Sequence, residues 1–275
     1  MPNDGATPPT RPAPPQGLPP IERLTAIMAR LRAPDGCPWD REQTHQSLRR
    51  YLEEEAAELI DAIDQSDDDA MRDELGDVLL QVVFHAQLAA ERDAFTLDDV
   101  ATAIADKLVR RHPHVFSDAT AAHAGDVEAI WQAVKDTERA QPRGPLDGVP
   151  ASLSPLTRAH EVTRKAARTG FDWPNLDGVL AKLDEETAEL REAIATDDPN
   201  RIEDELGDLL FVLVNLARKL DLRAADALRR ATTKFETRFL RSLEILAQDG
   251  VDPTTATLER IDVAWDQAKA EQRGQ

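Results

Sequence analysis

Residues 53–77 read EEEAAELIDAIDQSDDDAMRDELGD, and residues 185–208 read EETAELREAIATDDPNRIEDELGD. At an offset of 131, 13 of the 24 positions in 54–77 are identical. The shared core is Glu-Glu-x-Ala-Glu-Leu followed, after a constant gap, by Asp-Glu-Leu-Gly-Asp. Self-similarity on this scale signals a duplicated structural unit. Within each copy the apolar residues recur at helical spacing: Leu52, Ala56, Leu59 and Ile63 share one face of a helix over about 47–64. Asp67, Asp68 and Asp69 then supply turn and N-cap chemistry. The next helix, about 70–91, is apolar nearly all round (Leu75, Val78, Leu79, Leu80, Val82, Val83, Phe84), which predicts a buried central helix.

Working outward, Ile21, Leu24, Ile27, Met28 and Leu31 predict a first helix, closed by Pro34. Further helices fit 97–111, 126–140, 155–168, 176–195, 200–219, 222–247 and 256–272. Aromatic residues make up only 4% and Gly numbers 12, which suits helices better than sheets. The fold class is therefore all-α, as two tandem related helical-bundle domains. These run over 21–140 and 156–272, joined by the Pro/Gly-rich linker 141–155 and preceded by a Pro-rich tail, 1–20, read as disordered.

The 275 residues hold 52 Asp plus Glu against 33 Lys plus Arg, a formal charge of −19. Such acidity argues against nucleic-acid polymers, which need a cationic face, and against anionic membrane surfaces. The single cysteine, Cys37, excludes an intrachain disulfide and a Cys-based zinc site. No apolar run reaches the ~18–20 residues of a membrane span, and a cytoplasmic address is expected.

Some of the acids have a pattern that solvation does not require. Glu55 and Glu58 are three apart on one helix, and Glu74 and Asp77 three apart on the next. A short turn makes the helices antiparallel, so four carboxylates converge. The second repeat has the same set: Glu186, Glu189, Glu205 and Asp208. An acidic face on one helix is ordinarily a solvated face. Acids on an otherwise apolar helix, repeated at one spacing, call instead for a hard divalent cation with oxygen ligands, Mg²⁺ or Mn²⁺. Gly76 and Gly207, in mid-helix, are expected to mark close helix approach beside the site. Glu42-x-x-His45 resembles a di-iron half-motif but has no counterpart in the second repeat. His45 and His85 are read as local or structural, and His112 and His114 also lack a repeat equivalent.

The chain has no phosphate-binding Gly-rich loop, so phosphates would be held through metal, Lys and Arg. Lys107, Arg111 and Lys135 are available in the first repeat; Lys182, Lys234, Arg238 and Lys269 in the second. Trp131 and Trp265 could stack on a base or pack in a core.

Taken together, GCPWDREQT (36–44), the two EExxE…ExxD sets, KLVRRHPHVF (107–116), Gly170-Phe-Asp-Trp173, KFETRF (234–239) and Trp265-x-x-x-Lys269 resemble the MazG family of nucleoside triphosphate pyrophosphohydrolases in its two-domain form. The resemblance covers about 21–272. It implies an all-α homodimer that hydrolyses NTPs and dNTPs to NMP and pyrophosphate with Mg²⁺. It assigns the metal to Glu55, Glu58, Glu74, Asp77, Glu186, Glu189, Glu205 and Asp208. It implies triphosphate and base contacts from Lys182, Lys234, Arg238, Trp265 and Lys269, with Lys107, Arg111, Trp131 and Lys135 in the first repeat. Tyr51 replaces the Lys that precedes EExxE, so the C-terminal domain is expected to be the main catalytic one. Glu185 or Glu186 is the candidate to orient or deprotonate water, and Lys269, with Lys234 and Arg238, to neutralise the leaving group. Two alternatives stay open: a narrower dUTP, dCTP or phosphoribosyl-ATP pyrophosphohydrolase, and a metal- and nucleotide-binding regulatory module without turnover.

Overall fold

The computed structural model describes residues 15–117, 123, 125–127, 130, 131, 134 and 144–273. Among them all regular structure is helical. Backbone contacts divide the chain into two compact units, 1–140 and 141–275.

The first unit contains α1 (Pro20–Arg32), α2 (Pro38–Glu42), α3 (Arg49–Gln65), α4 (Asp68–Ala90), α5 (Leu97–Arg111) and α6 (Pro113–Phe116). Its centre is the antiparallel pair α3–α4, with α1 and α5 packed on α4. The chain reverses in two residues. Ser66 adopts the left-handed conformation (φ 55°) that ends α3, and the Asp67 side chain accepts from the Asp69 and Ala70 amides to start α4. Met28, Leu48, Val83 and Phe84 are the buried core, with Leu24, Tyr51 and Leu79 around them. Arg32 locks α1 to the end of α4. It donates to both Glu91 oxygens at 2.6 and 2.7 Å, and its guanidinium lies 5.6 Å from the Phe84 ring centroid. It also donates to the Asp40 and Gln43 carbonyls, so it pins the chain between α1 and α3.

The second unit contains α7 (Pro155–Ala167), α8 (Leu176–Thr196), α9 (Pro199–Lys219), α10 (Ala224–Gln248) and α11 (Leu258–Arg273). Here α8 and α9 form the antiparallel pair, α7 lies on α9 and α10, and α10 folds back on α11. The α8–α9 reversal has the same construction. Asp197 is left-handed (φ 58°), and Asp198 caps α9 by accepting from the Asn200 amide. Ile245 and Leu246 on α10 pack on Ala264 and Ala268 of α11.

Three expectations need correction. The helix now labelled α4 is not buried throughout: Gln81, Val83, Phe84, Ala86 and Ala89 are, while Leu75 remains 50% exposed. Gly76 and Gly207 are not points of close helix approach, since a Cβ on either would meet nothing within 4 Å. The tail 1–20 is helical from Pro20, and residues 1–14 lie outside the described residues, as do most of the helix expected over 126–140 and residues 141–143 of the linker. The short helices α2 and α6 escape a periodicity reading because each has too few residues to show a period.

His45, before α3, meets His85 of α4 through their Nδ1 atoms at 2.8 Å, with rings coplanar to 1°. One ring must donate and the other accept, so the pair cannot keep this bond with both rings charged. Burial first, and the neighbouring His45 second, lower the His85 pKa from its ordinary 6.5. A histidine lowered in the folded state adds stability that is complete above pH ~6.5 and declines as the pH falls below it. Calorimetric melting between pH 7.5 and 5.5 should therefore show a falling midpoint. His85→Leu, which installs the residue of the second repeat (Leu216), should flatten that dependence.

Candidate metal centre

The two-residue reversal sets the register of the acids. Glu58 lies eight residues before Ser66 and Glu74 eight after it; Glu55 lies eleven before and Asp77 eleven after. Equal counts at ~1.5 Å per residue bring the members of each pair level across the two helices. Glu189 and Glu205, and Glu186 and Asp208, stand at the same distances from Asp197.

In the first unit, oxygens of Glu55, Glu58 and Glu74 lie within 4.8 Å of one another. Asp77 stands outside this tightest group but acts on it electrostatically. Burial, then Asp77, Glu58 and Glu74, push the Glu55 carboxyl above its usual range. Burial, then Glu58 and Asp77, do the same to Glu74. In the second unit the tight group is Glu186, Glu205 and Asp208, also within 4.8 Å. Glu189 is beside it, pushed up by burial and then by Glu186, with Lys182 opposing and Glu205 adding to the rise. Each group thus gathers three of its four expected members, and a different three.

Two observations favour a cation. Glu74 Oε2 and Glu186 Oε2 are buried without a hydrogen-bond partner. Glu186 is only 4% exposed, and an ionised carboxylate oxygen in that setting costs free energy unless a positive charge meets it. The donor set is entirely carboxylate oxygen, the chemistry of a hard divalent ion. The residues present fit such an ion.

The two centres differ in their cations. Lys182 Nζ donates to Glu185 Oε1 at 2.8 Å and to Glu186 Oε1 at 2.7 Å. Those hydrogen bonds raise its pKa and keep the ammonium charged. At the matching position of the first unit, Tyr51 turns its ring into the core edge, against Trp39 (centroids 5.7 Å apart), and its hydroxyl accepts from Arg50. No lysine therefore neutralises Glu54 or Glu55 from this position.

The other singled-out residues are distributed as follows. Trp265 of α11 lies against Phe235 of α10, with ring centroids 5.3 Å apart, and Phe235 stacks on Phe239. Arg238 donates to Gln272 Oε1 at 2.7 Å, which holds its guanidinium beside α11. Lys234 is exposed and Lys269 half-buried. Among the described residues no ion pair joins Lys234, Arg238 or Lys269 to the carboxylates. In the first unit Lys107 and Arg111 lie on α5, and Trp131 meets His112 edge-on at 5.1 Å. Lys135 lies outside the described residues. Sequence reasoning missed Gln272 and Phe235 as supports of Arg238 and Trp265. It also missed Asp172, which accepts from Arg218 (2.6 Å) and Lys219 (2.9 Å) before α8. The signal for Asp172 was present in GFDW as an acid between aromatic residues; Gln272 had none, because it acts across a helix pair.

The model of the MazG nucleotide pyrophosphohydrolase domain matches residues 43–116 and again 175–239. A nucleoside triphosphate pyrophosphohydrolase/pyrophosphatase MazG of Thermotoga maritima is 47% identical over 250 residues, covering 90% of this chain and 95% of that protein. A nucleoside triphosphate pyrophosphohydrolase of Escherichia coli K12 is 45% identical over 259 residues, covering 92% and 98%. One from Mycobacterium tuberculosis is 42% identical over 155 residues, covering 54% and 46%. Both family matches contain an EExxE…ExxD set on its antiparallel helix pair, and the chain belongs to the MazG nucleotide pyrophosphohydrolase family, with the family's domain present twice.

Proposed function

We propose that this chain hydrolyses nucleoside and deoxynucleoside triphosphates to the monophosphate and pyrophosphate, with Mg²⁺ as its ion and Mn²⁺ as a substitute. The observation that carries the reading is the buried, unpartnered oxygen of Glu186 inside a group of three carboxylates drawn from two helices. In the second unit Glu186, Glu189, Glu205 and Asp208 hold the ion; Glu55, Glu58, Glu74 and Asp77 do so in the first. A bound divalent ion supplies Lewis-acid polarisation of the triphosphate oxygens and of water. Glu185 is exposed and shares Lys182 with Glu186, so its second oxygen is available to orient a water towards the α-phosphorus. Lys182 serves that site by holding both carboxylates in place and by presenting a positive charge to phosphate. Lys234, Arg238 and Lys269 neutralise the pyrophosphate leaving group, and Trp265 contacts the nucleoside. The role in the cell that follows is removal of surplus or non-standard nucleotides.

The C-terminal unit is the principal catalyst, since it has Lys182 where the N-terminal unit has Tyr51. For the N-terminal unit, the Tyr51 ring at the core edge favours a second reading, a metal- and nucleotide-binding module that regulates rather than turns over. The working molecule is a homodimer. Leu206, Leu210 and Leu213 form an apolar stripe on α9, each 42–47% exposed, and Leu75 and Val82 do the same on α4. A second copy covers these stripes.

A coupled assay should find NMP and pyrophosphate as products; release of orthophosphate alone would refute the reaction. Glu205→Gln should cut kcat at least a hundredfold with unchanged circular dichroism, while Glu74→Gln should keep most of the activity. Adding Mg²⁺ at pH 7.5 should raise the melting midpoint by several degrees, reversed by chelator and much reduced when Glu74→Gln and Glu186→Gln are combined. Sedimentation should give the mass of two chains, and Leu210→Glu should shift it to one.

A further inference from the structure

Lys182 Nζ bridges two carboxylates of α8, 2.8 Å from Glu185 Oε1 and 2.7 Å from Glu186 Oε1. Partners three and four residues along a helix share one face, so a single lysine reaches both. The two acids are unlike. The Glu186 side chain is 5% exposed and belongs to the tight group with Glu205 and Asp208; that of Glu185 is 56% exposed and stands outside it. Glu186 Oε2 is buried without a hydrogen-bond partner. One oxygen of this carboxylate is thus held by an ammonium while the other is bare.

The ammonium is close enough to act on an incoming ion. A divalent ion ligated by Glu186 Oε2 at ~2.1 Å would stand within roughly 7 Å of Nζ. That is inside the ~10 Å over which 0.1 M salt screens charge, and screening is weaker still around a buried group. Lys182 therefore opposes a free ion twice, by repulsion and by already neutralising a carboxylate that the ion needs. A triphosphate reverses both effects. It brings its own negative charge, and its oxygens are alternative acceptors for the ammonium. The lysine is the partner able to move: its side chain is one-third exposed on a flexible four-carbon stem, while Glu186 is fixed by burial. Its transfer to phosphate releases Glu186 to the ion and Glu185 to water.

We propose that Lys182 is an internal counterion of the C-terminal centre, held on Glu185 and Glu186 until a triphosphate draws it away, so that this centre takes its divalent ion together with the nucleotide rather than ahead of it. The inference rests on the reading of these acids as ion ligands and of a triphosphate as the substrate. Such coupling is reciprocal: ion and nucleotide tighten each other by the same factor. The first unit lacks a counterion at this position, where Tyr51 lies against Trp39 and accepts from Arg50. The N-terminal centre is therefore the one that loads an ion without nucleotide.

The test uses the full chain carrying Glu74→Gln, which disables the first centre, and two titrants. Mn²⁺ alone is followed by the electron paramagnetic resonance of the free ion, and preformed Mn²⁺–α,β-methylene-ATP by calorimetry. Adding Lys182→Met should tighten Mn²⁺ alone at least about fivefold and weaken the complex about tenfold, within the usual range of coupling between sites, with circular dichroism unchanged. Lys182→Arg, which keeps the charge, should not tighten the ion. A lysine that only supported the fold would weaken both titrants when removed. Unchanged or weaker Mn²⁺ binding in Lys182→Met, or a complex bound as tightly as before, would overturn the proposal. Neither titration needs turnover, so failure of the hydrolytic reading registers separately, as absent pyrophosphate release from ATP by the unmodified chain.

Discussion

The structure depends on keeping like charges together. Each centre places three carboxylate oxygens within 4.8 Å, an arrangement that raises the proton affinity of Glu55 and Glu74 in one unit and Glu189 in the other. Two helices bearing such groups would separate if nothing else held them. The reversal between them prevents this. A left-handed residue followed by an Asp N-cap leaves no slack, and the equal residue counts on either side bring the acids level. The C-terminal half of α4, with Val83 and Phe84 in the core, then anchors one helix of the first pair at the end remote from the turn. Repulsion is thereby stored in the site, and a bound cation would relieve it.

Duplication kept this arrangement and changed what surrounds it. Lys182 reaches Glu185 and Glu186 at hydrogen-bond distance, so part of the charge in the second centre is already offset. In the first, the same position joins the edge of the hydrophobic core through Tyr51, so no lysine compensates Glu55 from there. Two centres of one geometry thus differ in electrostatic potential. A cation is drawn more strongly to the uncompensated set, whereas a metal–triphosphate is gripped better where a lysine accompanies the acids. Under the proposed function, that division would separate a binding unit from a reacting one without any change of fold.

The fold was legible because apolar periodicity and the 131-residue repeat both refer to local spacing, which a single chain carries in full. The convergence of six of the eight acids, three in each tight group, was legible for the same reason: i, i+3 pairs on helices joined by a short turn leave little freedom. What was not legible acts across helices or beyond the unit. Gly76 and Gly207 looked like packing glycines, but a Cβ on either would meet nothing within 4 Å, and a sequence does not say which apolar face its own chain covers. Leu75 was read as buried on the same ground, and half of it is exposed. Arg32 gave no motif, although its contacts with Glu91, Phe84 and two carbonyls tie together three segments that are distant in sequence.

The overall charge of −19 can now be divided by role. Among the described residues most acids lie on exposed helix faces. Eight stand in two sets whose geometry suits a divalent ion. An acidic surface would repel a free triphosphate as it repels a polymer, but the comparison changes once the ion is bound. A short polyphosphate meets one metal and a few placed cations, Lys182 first among them, over a contact of only a few ångströms. A nucleic-acid backbone would have to lie against the acidic surface for many phosphates beyond the site, gaining nothing at each. Under the proposed function the same composition would disfavour the polymer while admitting the monomeric nucleotide, and the discrimination would come from the length over which favourable charge is available.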